Sequence, residues 1–237
     1  MTARSVVLSV LLGTHPASLS SAELLRLTVD FGIKETALRV ALTRMVAAGD
    51  LIRAQRTYRL SDRLLERQRR QDEALNPRTR HWNGDWLTVV VTSVGNDSRT
   101  RAALRTAMSD RRFGELREGV WLRPNNLDAD LDADIRGHAR VLIACDAHPA
   151  ELADRLWDLT GWMSTGRQLL EEMAAAVDVP GRFATAAAIV RHLRCDPVLP
   201  PELLPADWPG DRLRAAYAQF VAELSERLSA AQPLEVR

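Results

Sequence analysis

Residues 34–53 read KETALRVALTRMVAAGDLIR, and this stretch decides how the N-terminal part of the chain folds. Apolar residues recur in it at the three- and four-residue spacing of an α-helix. They are Leu38, Ala41, Leu42 and Met45. At about 100° per residue, the opposite stripe is centred on Thr36, Val40, Thr43 and Ala47, with Arg39 and Arg44 beside it. The pattern predicts a helix with one buried face and one small, hydroxyl-bearing, basic face.

The segments around this helix complete a recognisable order. Two shorter amphipathic segments precede it, RSVVLSVLLG at 4–13 and SAELLRLTVDFG at 21–32, and each ends at a glycine. The segment LIRAQRTYRLS at 51–61 comes after it, with strand-forming residues around a polar turn. Three helices and a hairpin in this order predict a winged-helix domain, which we assign to residues 1–75.

Charge is spread unevenly along the chain. The 237 residues carry a formal net charge of +1, yet residues 1–81 alone hold 14 Arg or Lys against 8 Asp or Glu. A basic N-terminal part on an acidic remainder favours an anionic partner at that end. The alternative is that an arginine-rich chain simply varies in charge from segment to segment.

We interpret the helix and the hairpin as a DNA-binding surface. Small side chains in the middle of a helix let it enter the major groove, while long cationic ones beside them reach phosphates or guanine edges. Basic residues along the hairpin would lie against the backbone or the minor groove. The predicted DNA-binding residues are Lys34, Thr36, Arg39, Val40, Thr43, Arg44, Arg53, Arg56 and Arg59. A solvated amphipathic helix beside a basic loop fits the periodicity equally well.

The remainder of the chain divides into two further parts. Residues 76–148 alternate in the order β, α, β, α, β, which predicts a small central α+β domain with helices on one face of a sheet. Residues 149–237 are predicted to be helical, apart from DPVLPPELLPADWPG at 196–210, which we expect to be an ordered loop. The predicted fold class is therefore α+β, with domains at 1–75, 76–148 and 149–237.

Motifs typical of other classes of protein are missing from the sequence. Cys145 and Cys195 stand far apart, which predicts neither a zinc site nor a disulfide framework and favours a reducing cytoplasm. No apolar run approaches the ~18 residues of a membrane span, so we expect no membrane partner. The sequence has no phosphate-binding loop and no metalloprotease or nucleophile-elbow motif, so no catalytic residue, metal or cofactor is predicted. The segment DADLDAD at 128–134 lacks the glycine and the terminal glutamate of a calcium loop.

Four stretches together resemble one known family. They are FGIKETALRVALTRMVAAGDLI (31–52), HWNGDWLTVVV (81–91), FGELREGVWLRP (113–124) and DPVLPPELLPADWPG (196–210). In content and order they are similar to the PaaX family of bacterial transcription regulators, the phenylacetic-acid degradation repressors. The resemblance covers nearly the whole chain, and its most specific parts are the Arg39–Arg44 core and the proline-rich segment.

The resemblance implies an N-terminal winged helix, a central domain similar to the ferredoxin-like CRISPR-associated nuclease fold, and a C-terminal helical domain for effector binding and dimerisation. It also implies a cytoplasmic homodimer that binds double-stranded operator DNA and represses aromatic-acid catabolism. The best-known members release DNA on binding phenylacetyl-coenzyme A. An acyl- or aryl-coenzyme A thioester is therefore the expected effector.

Three features depart from the family's pattern. Lys34 stands where a serine commonly caps the recognition helix, so a cap is lost and a cation for phosphate is gained. The hairpin is shorter than the family's and lacks its glycine, which bears on the reach of the wing. After LWDLTGW at 156–162, the family's usual tyrosine near Gly166 is absent, which bears on the identity of the effector.

The likeness of the central domain to a nuclease fold raises an alternative function, metal-dependent cleavage of nucleic acid. Such chemistry needs carboxylates that converge on Mg²⁺. The first central strand instead ends at Ser93 and Val94, and the nearest acid is Asp97. Fold likeness alone does not carry function. We therefore expect a binding protein and not an enzyme.

Effector contacts are expected where the central and C-terminal parts meet. Trp157 and Trp162 would supply apolar walls, and Arg191, His192 and Arg194 would hold an anion. Core packing is the favoured alternative for the two tryptophans and for Trp208. The basic group is equally natural as a helix C-terminus that complements the helix dipole.

Overall fold

The computed structural model describes residues 1–92, 98–128 and 137–230. The chain forms two compact units. The first contains residues 1–75, 167–193 and the chain from 211 onward, and the second contains residues 76–166 and 194–210. The three-domain division at residues 75 and 148 stays a prediction.

The described residues form both helices and strands. The helices are α1 Ala3–Leu12, α2 Ser21–Val29, α3 Glu35–Ala47, α4 Asp62–Leu75, α5 Ser98–Asp110, α6 Pro149–Leu156, α7 Leu159–Ala175, α8 Val179–Leu193 and α9 Gly210–Ala230. The strands are β1 Ser18–Ser20, β2 Leu51–Ala54, β3 Thr57–Leu60, β4 Asp85–Val91, β5 Gly114–Arg117, β6 Val120–Pro124 and β7 Ala139–Cys145. The predicted α+β class is confirmed.

The first unit begins with a winged helix. Its strands form a three-stranded antiparallel sheet in the order β1-β3-β2, beside α1, α2 and α3. The hairpin of β2 and β3 lies where the sequence predicts it. The strand β1 was not predicted, because three residues are too few to show a period of two.

A capping box fixes the start of α2. The Glu23 N–H donates to the Ser20 hydroxyl at 3.2 Å, and the Ser20 N–H donates to the Glu23 carboxylate at 2.7 Å. Hydrogen bonds from the Ser20 hydroxyl and from the Ser20 N–H hold the pKa of the Glu23 carboxyl below its usual value. Both orphan donors at the helix start are thereby satisfied.

The C-terminal helices pack on the winged helix inside the first unit. The rings of Phe31 and Phe183 meet edge to face with centroids 5.0 Å apart. The Gln71 amide of α4 donates to the Tyr217 hydroxyl of α9 at 3.3 Å, and burial raises the pKa of Tyr217 to about 12. The winged helix and these helices therefore share one core.

The second unit has a four-stranded antiparallel sheet with a different layer on each face. The strand order is β5-β6-β4-β7. The helix α5 covers one face, where Val89, Met108, Phe113 and Trp121 are buried together. The other face buries Trp86 and Leu122 against α6 and the segment around residues 199–203. The sheet is thus covered on both sides.

The proline-rich segment is an ordered loop of the second unit, as predicted. Leu199 and Leu203 are buried, and residues Pro201–Leu203 form one turn of 3₁₀ helix. The Asn126 amide donates to the Val198 carbonyl at 2.9 Å, and the buried Asp196 carboxylate accepts the Val198 N–H at the same distance. Backbone groups that prolines leave without helical or strand partners are satisfied in this way.

Three details differ from the expected elements. Residues 114–124 form two strands around Gly119, whose φ is +79°, where a single strand was expected. The predicted helix from residue 149 breaks after Leu156, and Asp158 caps its continuation by accepting the Gly161 N–H at 2.8 Å. The helix expected between the last two central strands falls mainly on residues 129–136, which lie outside the described residues.

Candidate nucleic-acid interface

The helix α3 has the two faces that its sequence predicts. Leu38, Leu42 and Met45 are buried in the first unit, and Ala41 is half-buried beside them. The opposite stripe is exposed along its whole length. Its members are Thr36, Val40, Thr43 and Ala47.

Val40 is the large apolar side chain on this stripe, and half of its surface is exposed. The hydroxyl of Thr43 donates to the carbonyl of Arg39 at 3.0 Å, which is the ordinary back-bond of a helical threonine. The stripe is therefore shallow. A shallow helix face can approach closely to the floor of a groove.

The two flanking arginines of α3 differ in their partners. The Arg39 guanidinium forms an ion pair with the Glu35 carboxylate one turn earlier, and both side chains are exposed. An exposed pair at this spacing contributes only about 0.3–0.5 kcal/mol, so a phosphate can displace the carboxylate. The Arg44 guanidinium forms no ion pair with any residue that the structure describes. Both cations are available to an anionic partner.

A buried aspartate fixes the position of α3 relative to its neighbours. Asp50 lies just past the end of the helix and accepts a hydrogen bond from Arg4 of α1 at 2.9 Å and from Arg63 of α4 at 2.6 Å. Its own carbonyl accepts the Ser61 N–H at 3.0 Å, just past β3. The Asp50 carboxylate therefore ties the end of α3 to α1 and α4, and the Asp50 backbone carbonyl ties it to the base of the hairpin.

Arg44 lies over a cleft between α3 and the start of α1. The cleft has a volume of about 330 Å³, and Arg4 and Arg44 both line it. Sequence reasoning missed Arg4, because nothing in the pattern of residues 1–13 indicates that it reaches Asp50. The guanidiniums of Arg4 and Arg44 therefore place positive charge beside the N-terminal end of α1.

Lys34 precedes α3 without capping it. Its side chain is exposed, and it forms no capping hydrogen bond with the helix. The start of α3 therefore lacks a side-chain cap, as the sequence predicts. The free N–H groups of the first turn and the lysine ammonium together favour an anion at this end.

The hairpin β2–β3 is a short, exposed wing. Its turn consists of Gln55 and Arg56, and Gln55 has a φ of +53°. Arg53, Arg56 and Arg59 are all exposed. A positive φ is a strained conformation for a residue other than glycine.

The three wing arginines do not share one face. Arg53 is paired with Tyr58 in the ladder, and its guanidinium lies 5.9 Å from the centroid of that ring. Arg59 is paired with Ile52 one position along, so it points to the opposite face. Arg56 lies at the tip. The wing therefore carries positive charge all round rather than along a single strip.

Three family models match the chain in sequence order. The PaaX-like protein model matches residues 2–64, the PaaX protein central Cas2-like domain matches residues 79–144, and the PaaX-like protein C-terminal domain matches residues 159–232. This chain belongs to the PaaX family. PaaX proteins are transcriptional regulators, and the predicted family is confirmed.

A solved structure supports the whole fold of this PaaX-family chain. It is described as uncharacterized protein Rv0674 from Mycobacterium tuberculosis, and it is 65% identical in sequence. The match covers 98% of this chain and 99% of that chain, with a TM-score of 0.89. A search of curated proteins found no match.

The five predicted effector residues of this PaaX protein fall into both units. Trp157, Trp162 and Arg194 belong to the second unit, whereas Arg191 and His192 belong to the first. The Arg194 carbonyl accepts a hydrogen bond from Arg112 at 2.6 Å. Sequence reasoning treated the three basic residues as one group because they are adjacent in sequence.

Trp157 and Trp162 line one open pocket in the second unit. Its volume is about 420 Å³, and its lining consists of Trp157, Asp158, Leu159, Gly161, Trp162, Thr165, Cys195 and Pro197. Trp162 stacks on Trp208 with ring centroids 4.2 Å apart and planes 10° apart. Among the described lining residues, Asp158 is the one charged side chain, and sequence reasoning missed it. The pocket therefore offers flat apolar walls and one carboxylate.

The described residues contain no cluster of three or more His, Cys, Asp or Glu side chains that could hold a metal ion. Asp97 and most of the acidic stretch at 128–134 lie outside the described residues. In the same part of the chain, no helix is both long and apolar enough to cross a bilayer.

Proposed function

We propose that this PaaX-family chain is a homodimeric, cytoplasmic repressor that binds operator DNA of a catabolic operon through α3 and its wing. The exposed stripe of α3 carries this proposal. It joins small side chains to two cations, Arg39 and Arg44, of which one is held only by an exposed glutamate and the other by no described ion pair. Bidentate arginine contacts to guanine and cationic contacts to phosphate use these groups.

The rigid backing of α3 supports the same proposal. Asp50 ties the end of the helix to α1 and to α4, so the exposed stripe is presented from a fixed base. Base readout requires such a base, because hydrogen bonds to base edges tolerate little displacement. A surface helix with no partner would not need it.

The test of this proposal is binding to DNA upstream of the protein's own gene. Footprinting should give two half-sites about 10 bp, or a multiple of this, from centre to centre, as expected for a two-fold dimer. Affinity should also fall steeply as salt rises. If no half-sites are protected at any protein concentration below the one that protects the DNA uniformly, the proposal is overturned.

We also propose that an acyl- or aryl-coenzyme A thioester releases the protein from DNA, with its acyl part against Trp157 and Trp162. The stacked pair Trp162 and Trp208 supports an aromatic acyl group, because offset and stacked rings attract each other beyond simple burial. The pocket contains a carboxylate and no arginine. The coenzyme A phosphates would therefore have to lie outside this pocket.

A panel of thioesters and their free acids tests the effector. A true effector should raise the unfolding temperature, since it binds the folded state, and should weaken operator binding. A 100-fold preference for the DNA-free state would shift the operator equilibrium by ~2.7 kcal/mol. The variant Trp162→Ala should lose the response. If no thioester both stabilises the protein and weakens operator binding, the coenzyme A part fails and the DNA-binding part stands.

The alternative function is cleavage of nucleic acid by the Cas2-like central domain. The family-level likeness of residues 79–144 is the observation in its favour. Incubation with single- and double-stranded substrates and Mg²⁺ or Mn²⁺ distinguishes it. Cleavage that disappears in Asp97→Ala would establish the alternative, and intact substrate would support the repressor.

A further inference from the structure

The strand β7 lies at one edge of the second unit's sheet. It pairs with β4 from Ala139 to Cys145, and no described strand pairs with its other side. Natural proteins protect such edges with prolines, bulges or inward charges, because the free N–H and C=O groups can pair with another chain. In its seven residues β7 has one charged side chain, Arg140, and its ladder with β4 runs without a bulge. Among the described residues, nothing protects this edge.

Apolar side chains make the edge unusual as well. Three consecutive residues are exposed, Val141 at 37%, Leu142 at 52% and Ile143 at 60%. Val141 lies beside Val89 on the face that α5 covers, and Leu142 lies beside Thr88 on the opposite face. Apolar surface therefore continues past the last strand on both faces of the sheet.

The hydrogen bonds of β4 and its extension show which way the backbone of β7 points. The Val91 N–H donates to the Gly119 carbonyl on the β6 side at 2.8 Å, and the Thr92 N–H donates to the His138 carbonyl on the β7 side at 3.0 Å. Backbone groups point to alternate sides along a strand. Even-numbered residues of β4 therefore bond to β7, and odd-numbered residues bond to β6.

The same alternation fixes the free side of β7. Leu142 is opposite Thr88, so its N–H and C=O are directed to β4. Val141 and Ile143 direct theirs away from the sheet. These two residues, with Ala139 and Cys145, therefore present hydrogen-bonding groups to whatever lies beyond the edge.

We propose that β7 pairs antiparallel with β7 of a second copy of this chain, in the register that places Leu142 opposite Leu142 of the partner subunit. This symmetric register pairs all seven residues of each strand. It places Val141 opposite Ile143 of the partner subunit, so the outward-pointing groups meet each other as hydrogen-bonded pairs. The two four-stranded sheets then join into one.

Charge favours a second copy in this register. Arg140 lies opposite Ala144 of the partner subunit, so no like charges face each other. A shift that centres the pairing on Arg140 would place two guanidiniums opposite each other, which destabilises a sheet. It would also leave the exposed Ile143 at the end of the ladder. The strand therefore complements itself best when centred on Leu142, as an isologous interface requires.

This inference rests on the homodimer of the proposed function and adds the surface that forms it. The first test is the double substitution Val141→Lys and Ile143→Lys, which places two ammonium groups opposite each other in each of two pairs. Sedimentation should show a rise in the dimer dissociation constant of roughly 100-fold or more. The control is Val177→Lys, since Val177 is an exposed aliphatic residue outside β7 and its substitution should leave the dimer unchanged.

The second test reads the register by cross-linking. In a background of Cys145→Ser and Cys195→Ser, the substitution Leu142→Cys places two thiols at a non-hydrogen-bonded pair with Cα atoms about 4.5 Å apart. That separation allows a disulfide. The matched control Arg140→Cys places the two thiols four positions apart along the ladder, about 13 Å at ~3.3 Å per residue. Oxidation should give a covalent dimer from the first variant and not from the second.

Each outcome decides the proposal. Dissociation by the paired lysines together with selective cross-linking at 142 supports it. The β7–β7 interface is overturned if the dimer survives the double substitution or if cross-linking at 140 equals that at 142. Either result leaves a dimeric repressor in place. If the wild-type chain is monomeric at all concentrations, both the β7–β7 interface and the proposed homodimer are overturned. DNA binding by α3 is measured separately in that case.

Discussion

The helices α3 and α5 have nearly the same residue plan and lie in different units. Each is 13 residues long and alternates arginines with alanines and threonines. Each buries a methionine near its C-terminal end, Met45 in α3 and Met108 in α5. In each, a threonine hydroxyl donates to the carbonyl four residues earlier at 3.0 Å. Composition alone does not separate them.

The surroundings of the two helices differ. The helix α3 leads into a wing of exposed arginines, and a buried carboxylate fixes its end. The helix α5 leads into β5 and covers a sheet, and Arg105 forms an ion pair with Glu115 of that strand at 3.3 Å. The neighbouring elements of a basic helix, rather than its own residues, distinguish a proposed reading helix from a covering helix.

The largest expected effect separates the arginines of the two helices. Arg39→Ala with Arg44→Ala should cost about 2–6 kcal/mol of operator affinity, because each lost contact costs roughly 1–3 kcal/mol. The matched pair Arg99→Ala with Arg105→Ala, in α5, should change affinity by less than about tenfold. Fluorescence anisotropy at one salt concentration measures both. Equal losses in the two double variants would remove the distinction between the helices.

The buried methionines should test stability and binding together. Met45→Ala and Met108→Ala should each lower the free energy of unfolding by about 2–5 kcal/mol, because both side chains are fully enclosed. Only Met45→Ala should also weaken operator binding at a temperature where both variants are folded, since its cavity lies directly under α3. Denaturant titration and anisotropy measure the two quantities. If Met108→Ala weakens operator binding as much as Met45→Ala does, the proposed difference between α3 and α5 is wrong.

The tips of the two hairpins give a third contrast. Arg56 lies in the turn of the wing, and Arg117 ends β5 just before the turn of the central hairpin. Arg56→Ala should lower the slope of log affinity against log salt by about one, because one phosphate contact is lost. Arg117→Ala should leave the slope unchanged. An unchanged slope in Arg56→Ala would show that Arg56 of the wing contacts no DNA phosphate.

The smallest expected effect concerns the backbone of the same two turns. Gln55 and Gly119 both have positive φ, +53° and +79°. Gln55→Gly should stabilise the protein by up to about 1 kcal/mol by relieving the left-handed conformation, and Gly119→Ala should destabilise it by a similar amount. A Cβ at Gly119 would meet only Val91 at 3.7 Å, so the cost is one of backbone conformation and not of crowding. Thermal unfolding measures both, and a less stable Gln55→Gly would show that the turn is not strained.

Sequence reasoning predicted the fold class and most local elements, but not every strand and not the contacts between residues far apart in sequence. The period of α3 and the strand-forming residues of the wing lie close together in sequence, so both elements were predicted. The three-residue strand β1 left no periodic signal, and the hairpin turn around Gly119 lies within LREGVWLRP at 116–124, which was interpreted as a single strand. Local patterns report local geometry.

The candidate sites show the same limit. The exposed stripe of α3 is set by its own periodicity, so its residues could be named in advance. The hydrogen bonds of Asp50 to Arg4 and Arg63 could not, because they join three elements far apart in sequence. The group Arg191, His192 and Arg194 stays a prediction, and the boundary between the two units, which falls after residue 193, could not be read from its sequence.

Both units are built from separate segments of the chain, and this limits how the winged helix could be exchanged between proteins by recombination. The chain passes between the units after residues 75, 166, 193 and 210. A single recombination crossover at residue 75 would therefore give a winged helix in which Phe31 lacks its partner, the ring of Phe183. Transfer of the winged helix without the C-terminal helices is therefore expected to open part of its core. Under the proposed function, a change of operator specificity is expected to come from substitutions on the exposed stripe of α3, with the C-terminal helices unchanged.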